Sequence, residues 1–312
     1  MDRNSTKEMK AAIDIGTNTV LLLVAEEQED GLQIIHEEQR MPRLGKGVDA
    51  DKTLDPESME RVINSLKEYK AILESDFKDV SKVIVTATSA VRDAANRDEF
   101  LTLVDTQTGF KVQLLSGEEE AEYTYRGALT VIEEELDGDV FVLDIGGGST
   151  EIALGRNGKL VDSYSFDMGC VRFTERFLLE DPPFQEQLHQ CREAVKYLLD
   201  SKKFKNKRKV QAIGVAGTLT SLAAIDLQID EYDPEHMNGH VIVSEKLRKG
   251  IEIFSLHTHK QLLELSPKVL KGREDIFLAG LLILEVFLDY FDLDEIRVST
   301  GGIRHGALLQ SV

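Results

Sequence analysis

Apolar and polar positions along this chain fall into two repeating patterns: short apolar runs ended by a turn, and apolar residues at helical spacing. Val140–Leu143 is an unbroken apolar run long enough for a buried strand, and Asp144 ends it with a carboxylate where the chain turns. Gly146, Gly147 and Gly148 follow, where the absence of a Cβ allows tight angles and close approaches, and Ser149 and Thr150 add hydroxyl donors. The same pattern occurs 130 residues earlier, because Ala11–Val20 reads AAIDIGTNTV, with Asp14-Ile15-Gly16 matching Asp144-Ile145-Gly146. Thr17, Asn18 and Thr19 stand where Gly147, Gly148 and Ser149 stand later. One such turn is weak evidence, since glycines also make ordinary hairpins. Two at domain-sized spacing predict a pair of related domains, each presenting an Asp-tipped strand and a phosphate-gripping turn to a shared cleft.

The remaining pattern supplies the elements around these turns. Ala11–Ile15 with Val20–Ala25, and Leu32–Glu38, read as strands, as do Lys82–Thr86, Val112–Leu115, Glu151–Leu154, Leu160–Phe166, Val210–Gly214 and Ile296–Ser299. Asp55-Pro56 opens a helix on which Met59, Val62, Ile63, Leu66, Tyr69 and Leu73 recur at helical spacing. Further helices are expected to carry Arg92 and Asn96, to begin at Gly117, and to cover Gln187–Leu199, Glu274–Tyr290 and the stretch from Gly301. Ser116 and Glu119 have capping-box spacing, so Glu118, Glu119 and Glu120 lie near a helix N-terminus, which their charge favours. RMPRLGKG, Arg40–Gly47, is either a mobile basic flap or a solvated loop.

Composition narrows the chemistry. With 312 residues and 42% apolar content, the chain suits two domains. A net charge of −19 repels polyanions overall and speaks against nucleic-acid binding, so an anionic substrate needs a local site. The exception is Lys202–Lys209, where six of eight residues are basic and either steer a polyanion or end a solvated helix. Two cysteines, Cys170 and Cys191, make no disulfide framework and suggest a cytoplasmic protein. The charged opening MDRNSTKEMK predicts no secretory signal, and Phe277–Leu284 is too short for a membrane span. No Walker A pattern occurs, which disfavours a P-loop NTPase. His236, His240, His257 and His259 lack partners at metal-ligand spacing. An acidic strand end beside a glycine turn suits a hydrated metal and a phosphate together, and Gly214–Thr218, where Gly217 and Thr218 open a helix, is a second anion site.

Seven stretches carry a resemblance: AAIDIGTNTV, ATSAVRDAANRDEF from Ala87, SGEEEA from Ser116, VLDIGGGSTE from Val142, MGCVRF from Met168, GVAGT from Gly214 and GGIRHG from Gly301. Together they resemble the Ppx/GppA phosphatases, exopolyphosphatases and guanosine pentaphosphate phosphohydrolases of the actin/Hsp70/sugar-kinase superfamily. The resemblance implies an α/β fold of two ribonuclease-H-like domains with a cleft between them, expected at 1–124 with 300–312, and at 125–299. It also implies Mg²⁺-dependent hydrolysis of a terminal phosphoanhydride in polyphosphate or pppGpp. Asp14, Asp144 and Glu151 would hold the metal, and the amides of Gly16, Thr17, Asn18, Gly146, Gly147, Gly148 and Ser149 the phosphoryl oxygens. The family's equivalent of Arg92 faces the cleft, which makes Arg92 a candidate phosphate ligand, and Arg304, a second candidate, matches the family's C-terminal arginine, although His305 replaces the acidic residue often found after it. Glu120, the glutamate immediately before the alanine, matches its catalytic base. Longer members carry further C-terminal helical domains; this chain is expected to be the two-domain core, with room for a homodimer. An ATP-dependent kinase or ATPase of the same superfamily, and a non-catalytic sensor, remain as rivals.

Overall fold

The first apolar run forms β1 (Met9–Ile15), which pairs antiparallel with β2 (Val20–Gln28), and β2 pairs antiparallel with β3 (Gly31–Arg40). The computed structural model describes residues 8–28, 31–132, 136, 138–204 and 210–310. After α1 (Val48–Asp51) comes α2 (Pro56–Asp76), where the Asp55 side chain accepts from the Ser58 amide and Pro56 fills the first turn. Its apolar face, Met59, Val62, Ile63, Leu66, Tyr69 and Leu73, is buried as the spacing predicts. β4 (Lys82–Ala87), α3 (Ser89–Asp93), α4 (Arg97–Thr108) and β5 (Val112–Leu114) complete this stretch. One helix was expected across Arg92 and Asn96, but the chain breaks between α3 and α4. The Asn96 amide instead pairs with both backbone groups of Leu54, at 2.8 and 3.0 Å, and that pairing holds it outside the helix.

The second stretch opens with α5 (Gly117–Thr130) and continues through β6 (Asp139–Ile145), β7 (Thr150–Arg156), β8 (Lys159–Phe166), α6 (Cys170–Phe177) and α7 (Gln185–Asp200). Then follow β9 (Val210–Val215), α8 (Ala216–Leu227), α9 (Pro234–Met237), β10 (Val241–Val243), α10 (Ser244–Phe254), α11 (His259–Leu265), α12 (Phe277–Tyr290), β11 (Glu295–Val298) and α13 (Ile303–Leu309). β10, α10 and α11 were not expected, although β10 is the apolar run Val241-Ile242-Val243 and α10 buries Leu247, Ile251 and Phe254 at helical spacing. Lys205 to Lys209 of the basic run lie outside the described residues.

Two units result, residues 1–116 with 303–312, and residues 117–302. The boundary expected inside the Glu120 helix falls instead before it, because α5 packs along β6, β7 and β8 as a single piece. Unit 1 has strand order β3-β2-β1-β4-β5, and unit 2 has β10-β11-β9-β6-β7-β8. In each, an antiparallel three-strand meander is followed by parallel strands, β4 beside β1 and β9 beside β6. Both units are thus the ribonuclease-H-like α/β arrangement that the resemblance implied, and they form the related pair that the repeat predicted.

Unit 2 has the larger core. α12 buries Phe277 through Leu284 together with Phe287 and Leu288, against Phe141, Leu143 and Val195 among others. Each Leu, Ile or Phe among them contributes roughly 1.5–3 kcal/mol on burial, which holds α12 against β6.

Candidate active site

Strand register sets the carboxylates. Asp14 lies opposite Leu21 on β2, and beside Thr86 on β4; Asp144 lies opposite Glu151 on β7 and beside Val215 on β9. The two aspartates therefore occupy equivalent points, but the position that is Glu151 in unit 2 is Leu21 in unit 1. Asp14 is buried and accepts a hydrogen bond from Thr86 Oγ1 at 2.9 Å. Asp144 is buried and accepts one from Thr124 Oγ1 at 3.0 Å. Burial pushes the Asp144 carboxyl up to about 6, and the Thr124 bond works in the opposite direction. Glu151 is also buried, and its Oε1 accepts from Ser165 Oγ at 2.6 Å.

α5 completes this cluster. Glu118 and Glu119 are exposed while Glu120 is buried, so the helix turns one of the three glutamates inward. Glu120 and Thr124 are four residues apart and share a face, the face from which Thr124 reaches Asp144. Gly117 lets the start of α5 sit directly on Ser165, since a Cβ there would lie 2.4 Å from the Ser165 Cβ. Thr124, Asp144, Glu151 and Ser165 are thus linked within unit 2, and Glu120 lies on the α5 face that carries Thr124. Thr124 and Ser165 escaped the sequence analysis, although the four-residue step from Glu120 to Thr124 was a usable signal.

The turns after the two aspartates are built alike. Gly16 donates its N–H to Thr19 O at 2.9 Å, and Gly146 donates to Ser149 O at 3.0 Å. These bonds close the turns, so the Gly16 and Gly146 amides are not phosphate donors as expected; both glycines serve by lacking a Cβ, which would meet the closing carbonyl at 3.0 Å. The other carbonyls face a backing segment. Thr17 O accepts from Gly45 N at 2.7 Å and Asn18 O from Arg43 N at 3.0 Å. Gly146 O accepts from Cys170 N at 2.9 Å, and Gly147 O from Val171 N at 2.9 Å and Arg172 N at 3.1 Å. A trans peptide is planar, with its C=O and the following N–H pointing in opposite directions. Holding these carbonyls therefore aims the N–H groups of Asn18, Thr19, Gly147 and Gly148 away from the backing segments, as an anion cradle needs.

That geometry revises the Arg40–Gly47 stretch. It is packed onto the first turn, with Leu44 and Gly45 buried, and a Cβ on Gly45 would come within 2.1 Å of Thr17 Cγ2. A flap that lifts would break both backbone bonds to the turn. The Thr17 hydroxyl lies 3.0 Å from that of Ser89.

Three expected phosphate ligands are held elsewhere. Arg304 is buried in unit 1, donating to Leu22 O at 2.7 Å and pairing with Glu37 at 2.9 Å, which ties α13 to β2 and β3. Thr218 is buried against Gly280 of α12, where a Cβ would meet its hydroxyl at 2.4 Å. Gly217 is covered by Arg273, whose Nη1 would lie 1.4 Å from an added Cβ. Arg273, half-buried, belongs to no pattern singled out in the sequence, and desolvation lowers its pKa. Arg92 is half-buried and donates to Leu115 O at 2.9 Å.

Among the described residues no three His, Cys, Asp or Glu side chains cluster as a metal cage. Mg²⁺ needs no such cage: it is commonly held by one or two carboxylates, with water and substrate phosphates completing the shell. Asp144, opposite Glu151 and ringed by hydroxyls, offers hard oxygen donors, and a nearby cation would favour the ionised form that burial disfavours. These residues fit the ion; in unit 1, considered by itself, Asp14 is likewise a buried carboxylate.

Among known proteins, the chain is 32% identical to the bifunctional 3-dehydroquinate synthase/phosphatase of Fusobacterium nucleatum, over 100% of this chain but 48% of that protein. It therefore spans about half the length of that relative. It is 33% identical to exopolyphosphatase 2 of Mycobacterium tuberculosis, over 96% of this chain and 97% of that one. The crystal structure of the Aquifex aeolicus member of the Ppx/GppA family superposes with a TM-score of 0.81 at 33% identity, covering 97% of each chain. The sequence model of the Ppx/GppA phosphatase family matches residues 23–312, and the chain belongs to that family.

Proposed function

We propose that this chain hydrolyses a terminal phosphoanhydride, releasing orthophosphate from inorganic polyphosphate or converting pppGpp to ppGpp. The observation that carries it is the inward turn of Glu120 alone among three glutamates, on the helix face whose Thr124 holds Asp144. Hydrolysis needs an oriented water, and a buried carboxylate on that helix face supplies the acceptor for its proton. Glu120 takes that proton as the water oxygen attacks the terminal phosphorus and the bridging P–O bond breaks. The amides of Gly147 and Gly148 hold the phosphoryl oxygens, and Thr124 fixes the rotamer of Asp144. Asp144 and Glu151 would hold Mg²⁺, which when bound neutralises charge on the phosphates. Phosphoryl transfer asks little more of a protein than this positioning and charge balance.

Phosphate release from polyphosphate and from pppGpp, measured side by side with and without MgCl₂, tests the assignment. Release that depends on Mg²⁺ and on Glu120 is expected. Transfer from ATP to an acceptor with no free orthophosphate would assign a kinase, and tight binding without turnover a sensor.

A further inference from the structure

The MGCVRF stretch has no part in the chemistry above, yet it holds the second phosphate turn from behind. α6 begins at Cys170, and its first amides, Cys170, Val171 and Arg172, donate to Gly146 O and Gly147 O. Those are the donors a helix N-terminus leaves without partners in its own turns, so the turn and the helix satisfy each other. Gly169 permits the contact: a Cβ there would lie 2.4 Å from Gly147 O and 2.6 Å from Gly148 N. The third carbonyl, Gly148 O, is reached by a side chain. Arg172 is buried, and its Nε donates to Gly148 O at 2.6 Å. In unit 1 the equivalent carbonyl, Asn18 O, is held by a backbone donor, Arg43 N.

We propose that Arg172 is a positioning residue of the phosphate site: by fixing Gly148 O it aims the N–H of Ser149 into the cradle, as the third donor beside Gly147 and Gly148. The physical reason is the same planar peptide. With Gly148 O locked toward α6, the Ser149 N–H must point the opposite way. The N–H and the carbonyl belong to one rigid plane, so loss of the Nε bond lets the donor swing rather than merely weakening it. Unit 1 achieves this with main chain, whereas unit 2 depends on one guanidinium. Preorganised donors matter most where charge develops, so a misaimed amide affects turnover more than folding.

The inference rests on the hydrolase assignment, and the test separates the two. In the ¹H–¹⁵N spectrum of the whole protein, MgCl₂ with inorganic phosphate should shift the amides of Gly147, Gly148 and Ser149. If Gly147 and Gly148 respond while Ser149 does not, the role of Arg172 is overturned without any variant. If none responds and no orthophosphate is released, the hydrolase assignment itself fails. Arg172→Lys keeps the buried charge and the aliphatic stem but lacks the Nε donor, and Arg172→Met lacks both. Each should fold, lose the Ser149 response, and lower kcat by roughly 10- to 100-fold, at or below the loss caused by deleting one such donor. Arg156→Met, which breaks the pair with Asp139 at the far end of β6 and β7, should lower stability and leave kcat unchanged. Wild-type kcat and a normal Ser149 response in Arg172→Lys would show that the charge, and not the aimed donor, is what the site uses.

Discussion

Asp144 carries two opposed demands, because the site needs its charge and the surrounding burial resists it. Its folded pKa of about 6 exceeds the ordinary value of 3.8, so its contribution to stability is fully present below about 4 and is lost as pH rises through 6. Chemical denaturation at pH 5 and pH 7.5 should show Mg²⁺ stabilising the protein more at the higher pH, with Asp144→Asn abolishing the difference and most of the activity. Unchanged activity and unchanged Mg²⁺ response in that variant would remove Asp144 from the site. The three glutamates divide by burial. Glu120→Gln should bind substrate nearly normally yet lose turnover by roughly 10²–10⁴-fold, the usual range for a general base. Glu118→Gln and Glu119→Gln, both exposed, should cost little beyond a weaker charge–dipole contribution at the α5 N-terminus, and a dead Glu119→Gln beside an active Glu120→Gln would move the base by one residue.

Elements deliver these residues by contact between backbones. Gly169 has φ −145° and ψ 162°, extended angles that alanine adopts without strain, so its glycine is required by space alone. Gly169→Ala drives a methyl into the peptide between Gly147 and Gly148, and the turn must move because backbone cannot rotate away. Overpacking of this kind costs roughly 1–3 kcal/mol. Turnover should fall further than stability does, and a crystal structure of the variant should show the turn displaced from α6. At the other end of the chain, α13 buries His305 as well as Arg304. Desolvation, with the neighbouring Arg304 charge, lowers the His305 pKa to about 3. Its folded pKa lies below the ordinary 6.5, so the stability it contributes is present above 6.5 and lost as pH falls toward 3. Urea midpoints of the wild type should therefore drop between pH 7.5 and pH 5 more steeply than those of His305→Asn.

At the scale of the molecule, charge decides what approaches. A net charge of −19 repels a long polyphosphate, and added salt screens that repulsion over about 10 Å at 0.1 M. Lys202, at the start of the basic run, lies over the Tyr164 ring at 5.3 Å. Replacing Lys203, Lys205 and Lys207 with Gln should leave turnover of a short substrate intact and at most weaken long polyphosphate, by an amount that shrinks as salt rises. Lost turnover of both substrates would give the run a direct place in the site.

The sequence alone determined the two-fold plan of this protein, because an Asp-tipped apolar run, its glycine turn and the helical spacing of α2 are local patterns whose physics acts over a few residues. The inward glutamate was carried by family resemblance, since the local signal, charge near a helix N-terminus, suited Glu118, Glu119 and Glu120 equally. Tertiary structure decided everything that needed a partner distant in the chain. Asn96 left its helix for Leu54, Arg304 turned to Leu22 and Glu37, Thr218 was buried under α12, and Arg273 came to rest across Gly217. Which amides of the glycine turns face a phosphate was also beyond the local pattern. A peptide plane is aimed by whatever holds its carbonyl, and for the second turn that is α6, more than twenty residues further along.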